Sequence, residues 1–219
     1  MGKLIYENHL AKKEDIEGFV LEGQADISFP EGAMRLKSVI DPSEGQKANF
    51  VLWCPVSFPS DVCIEWEFKP IKEPGLAIMF FAAKGISGVP VLDSSLAKRT
   101  GEYHQYHSGD INAFHVSYFR RKEPDERAFH TCNLRKSYGF NLVAQGADPI
   151  PDASKDSEWY RIRVVKKSGH VTFFINDLQI FEFIDDGMTY GDILTSGCVG
   201  FRQLAPMVAE YRNLRVTWL

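Results

Sequence analysis

The segment Trp159–Phe183 constrains the fold more than any other part of the sequence. Apolar and basic residues alternate over Tyr160–Val164, and a period of two places apolar side chains on one face of a strand. Lys167–Gly169 and Asn176–Asp177 then supply turn residues, and Asn and Asp tolerate the positive φ that tight hairpins require. The segment therefore predicts a three-stranded antiparallel meander.

Strand patterns dominate the rest of the chain as well. Val62–Phe68 alternates with period two, and Leu76–Ala83 is a continuous apolar run, typical of a strand that is covered on both faces. Four further segments have the composition of strands: Phe114–Arg121, Ala128–Arg135, Cys198–Gln203 and Glu210–Trp218. We expect an all-β, two-sheet antiparallel sandwich that forms a single domain over residues 1–219.

Three segments interrupt these strands. Ser94–Arg99 is predicted as a short helix with a polar cap, and Lys122–Glu126 as a solvated hairpin loop. Gly139–Ser157 is rich in Pro, Asp and Ala and is predicted as a long loop. A long loop in a compact domain is often functional.

Charge and composition exclude several classes of partner. The net charge of −4 opposes nucleic-acid binding, which needs a basic face, and no apolar run is long enough to cross a membrane. The charged segment Met1–Lys13 has no secretory pattern. The four cysteines form no CxxC motif and are predicted to be free thiols. We therefore expect a cytoplasmic protein.

Three stretches resemble known families. The meander Trp159–Phe181 and the closing segment Gly197–Val216 are similar to the concanavalin A-like lectin and glucanase superfamily. The stretch Lys98–Tyr118 resembles the YesU-like family of bacterial proteins. The resemblance implies a concanavalin- or galectin-like jelly roll. It also implies a role in the use of oligosaccharides from the pectic polymer rhamnogalacturonan, although a fold does not fix a function.

Polar and aromatic residues concentrate between Tyr103 and Thr131, a region that holds four of the six histidines. Sugars need hydrogen-bonding groups for their hydroxyls and rings for their C–H faces, so this density favours a sugar site over a polar sheet face with a structural role. Strand parity points His115 and Ser117 away from Phe114 and into a groove. The predicted substrate-binding residues are His104, Gln105, Tyr106, Asn112, Ser117, Tyr118 and Arg202. Tyr118 requires a bulge to reach the groove.

Glu65, Glu67 and His115 are the predicted catalytic residues. The two glutamates share one strand face, about 6.5–7 Å apart at the backbone, and flexible side chains reach the carboxylate spacing of either retaining or inverting glycosidases. Alternatively, the glutamates form salt bridges on a solvated face, with Arg202 as one partner. We expect one concave groove to be lined by Glu65, Glu67, His104, Tyr106, His115 and Arg202. Substitution of His115 or Glu67 should then leave the melting temperature almost unchanged.

No cofactor and no metal are predicted. Zinc at His104 and His107, or a structural calcium at Asp110 and Asp148, are the weaker alternatives.

The predicted function is an intracellular enzyme, a glycoside hydrolase or a lyase, that acts on pectic oligosaccharides. The alternatives are a non-catalytic lectin-like protein that binds an oligosaccharide, and a purely structural or interaction protein. Neither nucleic acid nor membrane is expected as a partner, and a homodimer stays open.

Overall fold

A computed structural model describes residues 2–155 and 158–219. In these residues the chain forms two antiparallel sheets with few helical turns. The strands are β1 (Lys3–Asn8), β2 (Val20–Glu22), β3 (Ala25–Ser28), β4 (Met34–Ser38), β5 (Phe50–Trp53), β6 (Val62–Lys72), β7 (Ala77–Gly85), β8 (Ile111–Tyr118), β9 (Thr131–Lys136), β10 (Asn141–Ala147), β11 (Tyr160–Lys167), β12 (His170–Ile175), β13 (Leu178–Ile184), β14 (Cys198–Gln203) and β15 (Val208–Trp218). The α-helices are α1 (His104–His107) and α2 (Pro124–Phe129), and the 3₁₀ helices are Lys13–Ile16, Pro30–Gly32 and Pro42–Ala48.

The two sheets pack face to face, as the sequence patterns predict. The eight-stranded back sheet has the order β13-β12-β11-β6-β15-β4-β3, with β1 also paired to β15. The seven-stranded front sheet has the order β10-β9-β8-β7-β14-β5-β2. The all-β sandwich is confirmed, and so is the meander, which forms β11, β12 and β13.

Aromatic side chains fill the space between the sheets. Trp66 and Phe68 of β6 contact Tyr118 of β8, and the Trp66 indole N–H donates a hydrogen bond of 2.9 Å to the Tyr118 hydroxyl. Phe201 packs against Trp66 and Tyr211. Burial of each large side chain contributes about 1.5–3 kcal/mol, and the internal hydrogen bond satisfies the polar atoms that the rings carry.

Three local predictions were wrong. Lys122–Glu126 is not an open loop: helix α2 begins at Pro124, and the backbone N–H of Glu123 donates to the Glu126 carboxylate at 3.0 Å. Gly139–Ser157 contains β10, although the last two residues of that segment lie outside the described part of the chain. Ser94–Arg99 forms turns and irregular backbone instead of a helix. Pairing with β9 forms β10, whereas local capping contacts form α2 and local hydrogen bonds to Asp93 form the turn at Ser95 and Leu96.

A second apolar layer covers part of the front sheet. Residues 86–110, which we call the cover segment, contribute Val91 and Tyr106, and these pack on Trp53 and Phe80 of the outer face. The predicted apolar run of β7 is therefore buried on both faces, by the core on one side and by the cover segment on the other.

No helix in residues 2–155 and 158–219 has the length and apolarity of a membrane span. All four cysteines belong to the described residues and carry free thiols.

Candidate functional site

The outer face of the front sheet brings together residues from several strands. The register places Ser117 between Ile78 and Asn133, and the next outward row places His115 between Phe80 and Arg135. Phe114 and Val116, which alternate with these residues, face the core. The cover segment closes this face over β5, β14 and β7 and, at His115, over β8. On β10, by contrast, the side chains of Leu142, Gln145 and Ala147 are exposed.

A pocket of about 160 Å³ lies at the boundary between the covered and the open parts. Its floor is formed by apolar side chains of β7 and of the residues next to β7 and β14, and by short polar side chains of β8 and β9. We call it the arginine pocket, and it is lined by Leu76, Ile78, Tyr103, Ser117, Arg120, Glu126, Asn133, Arg135, Phe140 and Leu204.

The arginine pocket carries more positive than negative charge. Arg120 pairs with Glu126, the carboxylate of the lining, at 2.8 Å. Arg135 stacks 3.9 Å from the Phe140 ring centroid and donates a hydrogen bond of 2.9 Å to the Phe140 carbonyl, without a carboxylate partner among the described residues. Partial burial lowers the pKa of Arg135 from its usual value, and the Arg120 charge adds to this effect. An anion in the pocket would relieve the repulsion between the two cations.

Arg202 adds a third cation beneath the pocket wall. Its side chain is fully buried, and its guanidinium lies 5.1 Å from the Tyr103 ring centroid and 5.2 Å from that of Tyr106. It donates to the Gly101 carbonyl at 2.5 Å, while its Nε has no hydrogen-bond partner in the described chain. Because Glu65 and Glu67 belong to the back sheet, the alternative of a salt bridge to them is wrong.

A buried hydrogen-bond chain connects the pocket to His115. The Tyr103 hydroxyl lies 2.8 Å from His115 Nε2, and His115 Nδ1 lies 2.7 Å from the Ser137 hydroxyl. His115 is fully buried, and this burial, assisted by the charges of Arg135 and Arg202, holds the pKa of its imidazole well below 6.5. His115 therefore lies on the predicted face of the sheet, but it is neutral and buried under the cover segment. Its hydrogen bond orients Tyr103, and its side chain is not accessible to a ligand.

Because the buried imidazole of His115 is neutral, the free energy of unfolding should depend on pH. Below pH 6.5 the unfolded chain takes up a proton at His115 that the folded chain does not, so the free energy of unfolding falls as the pH falls. One proton corresponds to a slope of about 1.4 kcal/mol per pH unit. We expect His115→Gln to flatten the stability profile between about pH 6.5 and 4.5, measured by urea unfolding at each pH.

His104→Gln controls for the loss of an imidazole, because His104 is exposed on α1. A wild-type profile with the same slope as that of His115→Gln would show that His115 takes up its proton in the folded state.

A buried ion pair attaches the cover segment to β2 of the front sheet. Arg99 of the segment lies 2.8 Å from Glu22 of β2, and its Nη2 also donates to the Val91 carbonyl at 2.6 Å. The Tyr106 hydroxyl donates to Glu22 at 2.8 Å. Gln105 accepts from the Thr100 N–H at 2.7 Å. Tyr106 and Gln105, predicted to bind substrate, instead hold the cover segment in place.

Glu65 and Glu67 do not join the other predicted site residues. Both face outward from β6 in the back sheet, on the side of the sandwich opposite His115 and Arg202. Arg212 and Asn213 hold the Glu67 carboxylate at 2.6 and 3.0 Å. The prediction of one groove lined by all six residues was therefore wrong, because alternation defines the face of a strand but not the sheet that the strand joins.

The remaining predicted residues are also dispersed. Tyr118 lies between the sheets on Trp66, since no bulge redirects it. His104 is exposed and lies outside the pocket lining, and Asn112 lines a separate surface depression of about 360 Å³. Of the ten predicted residues, Ser117 is the one that lines the arginine pocket.

The described residues contain no group of three or more His, Cys, Asp or Glu side chains arranged as metal ligands. The two aspartates considered for calcium are apart: Asp110 is near Arg99, while Asp148 pairs with buried Arg121 at 3.3 Å.

Five residues of the pocket lining were absent from the predicted site: Tyr103, Arg120, Asn133, Arg135 and Phe140. Two of them, Tyr103 and Arg120, lie in the polar region between Tyr103 and Thr131 that the sequence singled out. Extending strand parity from Ser117 to its cross-strand neighbour Asn133, and from His115 to Arg135, would have found two of the five.

Comparison with known proteins agrees with this fold. The chain is 51% identical over 215 residues to the uncharacterized protein YesU of Bacillus subtilis, covering 98% of this chain and 96% of that protein. A Bacillus subtilis crystal structure described as a protein of unknown function with a galectin-like fold matches with a TM-score of 0.95 and 51% identity, covering 99% of this chain and 96% of that one.

A more distant match is the carbohydrate-binding module CBM66 from Bacillus subtilis. It has a TM-score of 0.56 and 13% identity, and the match covers 90% of this chain and 93% of the module. At this identity the likeness concerns the fold alone. The model of the family described as a domain of unknown function, DUF1961, matches residues 3–216. The resemblance to YesU-like proteins is thereby confirmed, and the chain belongs to the DUF1961 family.

Proposed function

We propose that the protein binds an oligosaccharide that carries a carboxylate group, and that the arginine pocket is its binding site. The observation that carries this proposal is Arg135, which has no carboxylate partner among the described residues and lines a pocket in which the other cation, Arg120, is paired with Glu126. A guanidinium presents N–H donors in a planar fork that matches a carboxylate, and partial burial strengthens such a contact.

The other walls of the pocket suit a sugar. The rings of Tyr103 and Phe140 can pack on the C–H face of a pyranose, while Ser117 and Asn133 offer hydrogen bonds to hydroxyl groups. Uronic acids combine a ring, hydroxyls and a carboxylate. The acidic oligosaccharides of pectin, including those of rhamnogalacturonan, are therefore the proposed ligand class, and the fold shared with a carbohydrate-binding module supports a sugar ligand.

Replacement of Arg135 by glutamine should weaken the binding of trigalacturonate by about 10–100-fold, as measured by isothermal titration calorimetry. The reason is the loss of a charge-assisted hydrogen bond, which contributes about 1.5–3 kcal/mol. Methyl-esterified trigalacturonate should bind the unaltered protein more weakly than the free acid by a similar factor, because its carboxylates are neutralised.

The control is Arg163→Gln. Arg163 stacks on Phe174 at 4.2 Å, much as Arg135 stacks on Phe140, but it lies on the back sheet. Equal losses for the two variants, or equal affinity for the acid and its ester, would contradict the proposal.

Elimination at the uronic acid is a second candidate, favoured by the hydrogen bond between Tyr103 and His115. In this reaction a base takes the proton from the carbon beside the carboxylate, the glycosidic oxygen leaves from the next carbon with a proton, and a carbon–carbon double bond forms. Burial raises the pKa of Tyr103, although Arg202, Arg135 and Arg120 oppose this effect. A protonated phenol suits protonation of the leaving oxygen better than removal of the carbon-bound proton, so binding remains the first proposal.

Incubation with trigalacturonate, followed by mass spectrometry and short-wavelength ultraviolet absorbance, distinguishes the candidates. Unchanged trigalacturonate, together with binding in the calorimetric titration, indicates binding alone, and an absorbing unsaturated product indicates elimination. A gain of water would indicate hydrolysis, for which the pocket has one carboxylate, Glu126, where the usual mechanisms need two.

A further inference from the structure

The cover segment removes part of the surface on which a sugar chain could lie. The outward row of the front sheet runs from Trp53 through Phe80 and His115 to Arg135. Trp53, Phe80 and His115 have no exposed surface, because Tyr103 and Tyr106 of the cover segment and their neighbours lie over them. A chain that crosses the strands can therefore approach the arginine pocket from the β10 side but cannot continue beyond Tyr103.

The two ends of the pocket along the strand direction are also walled. At one end the Tyr103 ring meets the Phe140 ring edge-on, with centroids 5.5 Å apart, and His107 packs on Phe140 at 4.5 Å. This contact joins the cover segment to the turn between β9 and β10. At the other end the Arg120–Glu126 pair joins the end of β8 to α2.

The side toward β10 is different. Gln145 pairs with Asn133 of the pocket floor in the strand register, and the side chains of Gln145 and Ala147 are exposed. No residue of the cover segment is among the strand partners or core neighbours of β10. The pocket thus has three walls and one open side.

We propose that the arginine pocket takes the terminal residue of an acidic oligosaccharide, and that the rest of the chain leaves over β10. The pocket volume of about 160 Å³ is below the roughly 300–1,000 Å³ of sites that hold drug-sized ligands, and it suits one sugar ring. The inference rests on the proposed function and specifies it: the protein recognises chain ends and does not clamp the interior of a polymer.

Stoichiometry tests this inference directly. The probes are trigalacturonate, hexagalacturonate and polygalacturonate, titrated into the protein by isothermal titration calorimetry with chain concentration determined by end-group analysis. A terminal site predicts one bound protein per chain at every length. A site for internal residues predicts that the number of proteins bound per chain rises with chain length, and this result would overturn the inference while leaving the proposed function intact.

Absence of binding to all three probes would overturn the proposed function and the inference together.

A variant that opens one wall adds a second readout. Phe140→Ala should weaken binding, because one stacking ring is lost, and it should also allow a chain to pass the former wall, so that at saturating protein concentration more than one protein binds each polygalacturonate chain. Tyr138→Ala is the matched control, because Tyr138 is an exposed aromatic residue of the same turn that lies outside the pocket lining. If Phe140→Ala, tested on a folded variant, keeps one protein per polygalacturonate chain, Phe140 is not the wall that imposes terminal binding.

Discussion

Replacement of Arg99 by methionine is expected to lower the free energy of unfolding by about 3–5 kcal/mol, because it leaves the buried Glu22 carboxylate without its cation. Arg99 and Glu22 retain only 5% and 10% of their side-chain exposure, so water cannot substitute for the lost partner. The same change should loosen the cover segment from Trp53 and Phe80. Urea unfolding gives the stability, and limited proteolysis between residues 86 and 110 reports the loosening.

The ion pair between Arg161 and Asp177 is the control, since both side chains are largely exposed. Exposed pairs contribute about 0–1 kcal/mol in general, so Arg161→Met should be far milder. The double variant Glu22→Gln and Arg99→Met should recover part of the loss, because no uncompensated charge remains buried. If Arg99→Met costs no more than Arg161→Met, the pair does not hold the cover segment.

Replacement of His115 by alanine is expected to cost about 3 kcal/mol of stability, in contrast to the unchanged melting temperature that its predicted place in an open groove implied. The substitution leaves a cavity beside Phe80, and it removes the hydrogen-bond partner of both the Tyr103 and the Ser137 hydroxyls. Thermal and urea unfolding measure the effect. Binding of trigalacturonate should also weaken, since Tyr103 loses the group that orients it.

His104→Ala provides the comparison for the same residue type at an exposed position, where substitutions usually change stability by less than about 0.5 kcal/mol. Similar losses at the two positions would show that the hydrogen-bond chain from Tyr103 to Ser137 contributes little.

Strand alternation predicted the two-sheet sandwich and the outward direction of His115, Ser117 and Arg202, because these properties depend on neighbours along the chain. Sheet membership depends on pairing between distant segments. Glu65 faces outward as predicted, but β6 pairs with β11 and β15, which places this carboxylate on the back of the molecule. Alternation is the same in either sheet, so it could not reveal this separation.

The cover segment was the second feature that the sequence did not reveal. Residues 86–110 contain one short helix and otherwise irregular backbone, so they have no periodic pattern that predicts a packed layer. Their position depends on contacts with distant residues, above all Glu22 and Trp53. A groove predicted from the strands alone is consequently wider than the pocket that the cover segment leaves open.

The most direct test of the arginine pocket as a binding site for acidic sugars is a crystal structure of the protein soaked with trigalacturonate. We expect electron density for one uronic acid ring against Tyr103 and Phe140, with its carboxylate within hydrogen-bonding distance of Arg120 or Arg135 and the remaining rings over β10. An empty pocket with the sugar bound to the back sheet at Glu65 and Glu67, or at another surface, would contradict the proposed site.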